Sequence, residues 1–212
     1  MTIFMLTMGV AGAYLIGSFS TAVWFGKLFY NTDIRKHGSG NAGATNTLRV
    51  LGPRAGLLVL MIDALKGWLA IQIYHLFETS HWTADELVYY QMFLAAGVVT
   101  GHILPVYTRF KGGKGVATLL GVVSAMFPWQ LIVIEIGLFA LIFGTTRFVS
   151  LGSLAVALAF PILAIWGFQV VYPLKVLSVL VAIIIPVTHK KNIERLIQGR
   201  ESKISFNNVR KE

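Results

Sequence analysis

Residues Gly38 to Arg49 read GSGNAGATNTLR, a run of glycines, small hydroxyls, amides and one arginine inside a chain that is 56% hydrophobic. Glycines permit positive φ and close backbone approach, so successive N–H groups can turn inward as an anion nest. Ser39, Asn41, Thr45 and Asn46 add neutral polar groups, and Arg49 adds a planar fork that matches phosphate. Gly38, Gly40 and Gly43 also spell G-x-G-x-x-G, but a dinucleotide site needs a preceding strand and a βαβ unit, and an apolar helical stretch precedes this run. The competing reading is a hydrophilic connector.

A second run, Arg109 to Thr118, reads RFKGGKGVAT and leads directly into an apolar stretch. Lys111 and Lys114 flank Gly112 and Gly113, and the N–H groups at the start of the following helix would face an anion held there. The run fails as a nucleotide-binding P-loop because Lys114 is followed by Gly115 rather than Ser or Thr. A third run, His189 to Glu201, reads HKKNIERLIQGRE. His189 and Asn192 share a helix face at i, i+3, while the run as a whole reads equally as a basic amphipathic tail on a membrane surface.

Polar groups also interrupt the apolar stretches. Asp63 and Lys66 stand at i, i+3, which reads as a structural ion pair or as Lys66 reaching up to buttress the first glycine run. His102, about two turns before Arg109, is either a satisfied structural histidine or a proton acceptor. Glu135 fits a rim position or an interhelical partner. Ser150 and Ser153, one turn apart after Arg147, would cap backbone or hold phosphate oxygens.

These residues need a frame, and composition dictates which. Only 13% of the 212 residues are charged, none is Cys, and mean hydropathy is +0.71, whereas soluble domains carry roughly 25% charged residues. Charge-free windows at Met1 to Gly26, Leu87 to Thr108, Gly115 to Ile134 and Phe148 to Leu174 each reach the ~20 residues needed to cross hydrocarbon. The expected fold class is all-α, a polytopic integral membrane helical bundle forming one domain over residues 1–212. Breaks at Gly, Pro and charges place helices near 3–28, 54–77, 87–107, 115–127, 129–145, 149–170 and 174–188. That makes about seven spans, with five or six as alternatives because Pro128 and Glu135 leave 115–145 readable as one kinked helix. The first window lacks a preceding Lys or Arg and exceeds the ~7–15-residue apolar core of a cleavable signal peptide, so it is expected to stay as a membrane helix.

With seven spans and the N-terminus outside, every Lys and Arg except Lys66 and Lys175 falls at or beside 29–53, 108–114, 146–148 and 189–212. Glu78, Asp85 and Glu86 mark an acidic loop opposite. The basic face, carrying the C-terminus, is therefore cytoplasmic by the positive-inside rule. The net charge of +9 belongs to that face, where anionic headgroups and phosphate-bearing metabolites reside, and most of it reads as topology and lipid affinity. Lack of Cys excludes disulfides and thiolate metal sites, and the five His never pair at i, i+4, so no metal and no cofactor is expected. Trp82, Trp129 and Tyr172 read as interface anchors.

Taken in order, GSGNAGATNTLR, DALKGW, GHILPVYTRFKGGKGVAT and HKKNIERLIQGRE resemble the motifs of the bacterial PlsY family, the integral-membrane acyl-phosphate:glycerol-3-phosphate acyltransferases of phospholipid synthesis. The resemblance covers nearly the whole chain; the stretch TTRFVSLGS matches more loosely. It implies transfer of a fatty acyl group from acyl phosphate to the 1-hydroxyl of glycerol 3-phosphate, giving lysophosphatidic acid and inorganic phosphate, at the cytoplasmic face of the bacterial inner membrane. It implies catalytic roles for Ser39, Arg49, Lys114, His189 and Asn192. It implies substrate contacts for Gly40, Asn41, Thr45, Asn46, Lys66, His102, Lys111, Gly112, Gly113, Gly115, Thr118, Ser150, Arg195 and Glu201. The implied partners are the two substrates, the lipid bilayer and the enzyme that produces acyl phosphate, with no nucleic acid.

An acyl phosphate is an activated mixed anhydride, so donors that stabilise the oxyanion and the departing phosphate, together with positioning, would supply most of the catalysis. The chain has no H-x-x-x-x-D acid–base motif. The donor's own phosphate is therefore expected to accept the hydroxyl proton, with His189 and His102 as rival bases. A transporter for phosphate or organic anions is the competing functional class. Transporters place their site near the midplane, often between repeats, whereas here the polar groups cluster at one face and no repeat shows.

Overall fold

The computed structural model describes residues 3–77, 79 and 81–204. Glu78, Arg210 and Lys211, three of the charges used above for topology, lie outside the described residues. The helices are α1 (Ile3–Ser18), α2 (Thr21–Tyr30), α3 (Ala44–Leu51), α4 (Pro53–Ile71), α5 (Ala84–Ile103), α6 (Val116–Met126), α7 (Trp129–Thr146), α8 (Val149–Ile162), α9 (Tyr172–Thr188) and α10 (Lys190–Ile197). Short 3-10 turns extend α4 and lie at Ile34–Lys36 and Val106–Thr108, and a π turn extends α8 to Gly167. Among the described residues there is no strand.

Among the described residues five spans are long and apolar enough to cross a membrane: Ile3–Tyr30, Pro53–Leu76, Ala84–Thr108, Trp129–Thr146 and Val149–Gly167. The pair α9 and α10, bent by 64°, makes a sixth when taken as one broken span. The expected helix at 115–127 is present as α6, but its 11 residues rise only about 16 Å against the ~30 Å of a hydrocarbon core. Pro128 caps α7, so 115–145 is two helices rather than one kinked span.

The expected first helix at 3–28 is broken at Phe19 and Ser20. Its freed carbonyls find a partner from outside: the Lys66 ammonium donates to the Gly17 oxygen at 3.2 Å and to the Phe19 oxygen at 2.9 Å. A break in a membrane helix persists only where another group satisfies the backbone it exposes. The stretch 29–53, expected as loop, contains α3. Its sequence ATNTLRVL is too polar to register as a span, yet Asn46 and Thr47 are buried, and Gly52 at φ +93° ends the helix.

The chain divides into two compact units, one up to Ala125 and the other from Met126. In the first, α1 and α5 run side by side in the same sense through glycines. A Cβ on Gly17 would strike the Val98 carbonyl, and one on Gly101 would strike the Tyr14 carbonyl. Small residues let membrane helices approach closely enough for dispersion and weak hydrogen bonds to hold them without a hydrophobic driving force. The same device sets α4 against α6, where Gly67 faces the Thr118 carbonyl and Gly121 faces that of Ala64. A small apolar cluster of Ala22, Val23, Ile34, Ala42 and Val59 underlies the first glycine run. In the second unit α7 and α8 pack antiparallel, the Phe139 ring filling the space over Gly152. The segment after α10 is fastened by the Ile204 N–H to the Arg147 carbonyl at 3.0 Å, and Ile204 is buried.

Candidate functional site

The first glycine run folds as a loop from His37 to Gly43 that leads into α3, with Gly38 at φ +59° and Gly40 at φ +73°. Asn46 organises it from within. The Asn46 Oδ1 accepts the Ser39 N–H at 2.8 Å, while Nδ2 donates to the carbonyls of Ile34 at 2.9 Å and His37 at 3.1 Å. Asn46, expected as a substrate contact, is buried, and its side chain shapes this loop. Ser39 and Gly40 are exposed on the loop, Asn41 is half-buried, and Thr45 and Arg49 are half-buried on α3.

The second glycine run follows the 3-10 turn Val106–Thr108. Arg109 and Phe110 both adopt left-handed φ, +58° and +59°, conformations that cost energy for a side-chain-bearing residue and persist only where the surroundings hold them. The Phe110 N–H donates to the Pro105 carbonyl at 2.9 Å, and the Thr108 hydroxyl donates to the Lys111 carbonyl at 3.3 Å. Gly112 has no room for a side chain, since a Cβ there would lie 2.6 Å from the Pro105 Cδ and 2.7 Å from the Ile103 oxygen. A Cβ on Gly113 would strike the His102 Nε2 and lie 2.9 Å from the Ala42 oxygen. The two glycine loops therefore meet at Gly113 and Ala42. Lys114 is half-buried, and Gly115, at φ +84°, directly precedes α6.

Beside the loops lies an open cavity of about 390 Å³ lined by Asp33, Arg35, Lys36, Gly40, Thr108, Arg109, Lys111 and Gly112. It contains no apolar side chain except the stems of its cations, and its size falls within the ~300–1,000 Å³ of small-molecule sites. Asp33 and Arg35 pair twice in its lining, and the guanidinium beside it holds the Asp33 carboxyl at about 2. Lys36, Arg109 and Lys111 supply the remaining charge, all positive.

Beneath the loops a buried network links four helices. The Asp63 Oδ1 accepts from the Thr21 hydroxyl at 2.8 Å and from the Lys66 ammonium at 2.8 Å, with His102 Nδ1 at 3.8 Å. His102 Nδ1 lies 3.0 Å from the Thr118 hydroxyl. The i, i+3 ion pair is thus present, but Lys66 does not buttress the first glycine run: it holds the α1–α2 break. Lys66, His102 and Thr118, expected as substrate contacts, are buried in the scaffold.

In the second unit the third run gathers around one carboxylate. Glu201 Oε1 accepts from the Ser150 hydroxyl at 2.9 Å and the Asn192 amide at 2.7 Å, and Oε2 accepts from Arg195 Nε at 2.8 Å. Burial alone would raise the Glu201 pKa, but these three hydrogen bonds outweigh it and keep the carboxyl below its ordinary value. Ser153 is not part of the cluster, its hydroxyl donating to the Val149 carbonyl at 3.0 Å. His189 is buried, with Nδ1 2.8 Å from the Ile185 carbonyl, an acceptor that fixes the proton on that nitrogen. Glu135, left open between a rim position and an interhelical partner, is buried, and among the described residues neither of its oxygens has a hydrogen-bond partner. Sequence reasoning missed Thr21, Asp33 and Thr108 and took Arg35 only as a membrane-face charge; the one local signal was the D-x-R spacing of Asp33 and Arg35. Among the described residues no group of three His, Asp or Glu could hold a metal ion.

Residues 7–199 match the family model described as glycerol-3-phosphate acyltransferase. A protein of that name from Macrococcus caseolyticus is 40% identical over 194 residues, covering 92% of this chain and 94% of the relative. Another from Halalkalibacterium halodurans is 41% identical over 203 residues, covering 92% and 93%. The fold is similar to a crystal structure of PlsY, an integral membrane glycerol 3-phosphate acyltransferase, in its glycerol 3-phosphate form. The TM-score is 0.82 at 35% identity, over 96% of this chain and 98% of that one. The lysophosphatidic acid form of PlsY aligns with a TM-score of 0.77 at 34% identity, over 95% and 96%.

Proposed function

The chain belongs to the glycerol-3-phosphate acyltransferase family, and from that premise we propose that it transfers a fatty acyl group from acyl phosphate to the 1-hydroxyl of glycerol 3-phosphate, releasing lysophosphatidic acid and phosphate. The observation that carries this reading is the meeting of two glycine loops at Ala42 and Gly113 beside a cavity to which Lys36, Arg109 and Lys111 contribute cations. Backbone N–H groups, glycines and cations with no apolar side chain suit phosphate, and both substrates carry one. The spans around them are apolar enough to lie in the bilayer from which an acyl chain would come.

In the step itself the glycerol hydroxyl oxygen bonds the acyl carbonyl carbon, the bond from that carbon to the phosphate oxygen breaks, and phosphate leaves. Negative charge grows first on the carbonyl oxygen and then on the leaving phosphate, so fixed donors accelerate both stages. Ser39, Arg49, Lys114, His189 and Asn192 are the groups assigned to that charge; Gly40, Asn41, Thr45, Lys111, Gly112, Gly113 and Gly115 shape or line the phosphate sites. Asn46, Lys66, His102, Thr118, Ser150, Arg195 and Glu201 act through the groups they hold. The hydroxyl proton goes to the donor's own phosphate. His102 supports this by being unsuited to the task, with Nδ1 at the Thr118 hydroxyl and Nε2 packed on Gly113.

The enzyme would act as a single multi-pass domain in the bacterial cytoplasmic membrane, crossing it with the five or six long apolar spans, its N-terminus outside and its active site on the cytoplasmic face. Purified protein given palmitoyl phosphate should release phosphate in a glycerol 3-phosphate-dependent manner. Lys114→Ala should lower kcat/KM by ~100-fold or more, the usual loss of one charge-stabilising donor. Absence of acceptor-dependent release from folded wild-type protein would exclude acyl phosphate as the donor.

A further inference from the structure

Arg35 does more than add charge to the cavity. Its Nε donates to Asp33 Oδ1 at 3.0 Å, one terminal nitrogen donates to Asp33 Oδ2 at 2.7 Å, and the other donates to the Thr108 carbonyl at 3.0 Å. The Arg35 backbone N–H also donates to Asp33 Oδ1 at 3.1 Å. A guanidinium anchored at three of its nitrogens is locked as a plane, which a lysine ammonium cannot reproduce. The two anchor points belong to different loops. Asp33 and Arg35 belong to the 3-10 turn that feeds the first glycine loop, and Thr108 is the last residue before the second. Thr108 is buried, and its carbonyl also takes the Lys111 N–H at 3.4 Å, so the bond from Arg35 reaches the stretch that carries Lys111 and Gly112. Opposite, the loops touch at Gly113 and Ala42. The charged bridge and the contact at Gly113 and Ala42 therefore both help set how far apart the two loops stand.

We propose that Asp33 and Arg35 are positioning residues, a clamp that fixes the spacing of the two glycine loops and thereby aligns the glycerol hydroxyl with the acyl carbonyl. The inference rests on the acyl-phosphate reaction proposed above. Neither residue is assigned to the reacting atoms; both act through the loops. The pair stays charged throughout the working pH range, because the Asp33 carboxyl is held at about 2. A clamp of this kind separates the two fates of acyl phosphate. Glycerol 3-phosphate must be aligned between both loops, while water attacking the same carbonyl needs no second loop, so a loosened spacing penalises transfer and spares hydrolysis.

The test compares wild type with Arg35→Ala, Arg35→Lys and Asp33→Asn, measuring enzyme-dependent phosphate release from palmitoyl phosphate with and without glycerol 3-phosphate. The ratio of transfer to hydrolysis does not depend on how much of each preparation is folded. It is expected to fall by at least ~10-fold in all three variants, and in Arg35→Lys combined with Asp33→Asn by no more than in the worse single variant, since the two act as one device. An unchanged ratio at reduced activity would make the pair a support of the fold only and overturn the proposal. So would a wild-type ratio in Arg35→Lys beside a reduced one in Arg35→Ala, because charge alone would then suffice. If wild type itself shows no acceptor-dependent release, the proposed reaction fails rather than the clamp.

Discussion

Asp63 and Glu201 are both buried carboxylates that collect a cation and neutral donors, yet they sit in opposite kinds of surroundings. Asp63 meets Lys66 one turn away on the same helix, with side chains 1% and 7% exposed, and its other partners come from α2 and α5. Glu201 follows the last helix, and its cation Arg195 is 36% exposed. Both carboxylates are themselves buried, so the difference lies in the cations: water can solvate Arg195 when its pair opens but has no access to Lys66. The first network holds helices together and keeps the α1–α2 break satisfied, and the second holds side chains in place at a chain end. The same chemistry thus serves folding in one unit and placement in the other.

The largest effect is expected where that difference is sharpest. Asp63→Ala leaves the Lys66 ammonium buried without its carboxylate, which costs about 3–5 kcal/mol, and thermal unfolding in detergent should show loss of most of the folded protein. Near-wild-type melting would mean that Lys66 is held adequately by the Gly17 and Phe19 carbonyls alone. Glu201→Gln should behave otherwise. It weakens three hydrogen bonds without emptying space, at about 1–3 kcal/mol, so the melting temperature should shift by a few degrees while kcat falls about tenfold. Equal losses in both variants, read as active fraction, would erase the contrast.

Asp33 makes a third case, a carboxylate in an open cavity with its pair intact. Because the arginine beside it holds its folded-state value at about 2, below the ~3.9 of the unfolded chain, its stabilisation is complete above that unfolded value. It is lost only as pH falls through the folded value. The melting difference between wild type and Asp33→Asn should accordingly stay constant from pH 8 down to pH 5. A difference that shrinks over that interval would show that the pair opens in solution.

Much of this was readable before folding. Low charge content and long apolar windows require a membrane bundle, because hydrocarbon admits no other way to satisfy a helical backbone. Gly38, Gly40 and Gly115 adopt positive φ within the runs GSGNAGATNTLR and KGGKG, although Gly43, Gly112 and Gly113 do not and Gly52 and Gly199 lie elsewhere, and the Asp63–Lys66 pair followed from i, i+3 spacing. Asn192, Arg195, Glu201 and Ser150 could be named by resemblance, but not their convergence, since nothing local ties Ser150 to a residue 51 positions later. The amphipathic α3 was invisible because eight polar-rich residues resemble a loop until a neighbouring helix buries one face.

Local pattern therefore determined which residues could bind anions and that they must be carried on membrane helices, because periodicity, hydropathy and glycine conformation are properties of short stretches. Only the tertiary structure decided what each polar group is for. It turned Asn46 inward to shape a loop and set Lys66 against the carbonyls of a broken helix. It made Arg35 a bridge between the two glycine loops. Those outcomes depend on carbonyls and carboxylates brought close from distant parts of the chain, and a buried donor takes whichever acceptor the packing leaves within reach.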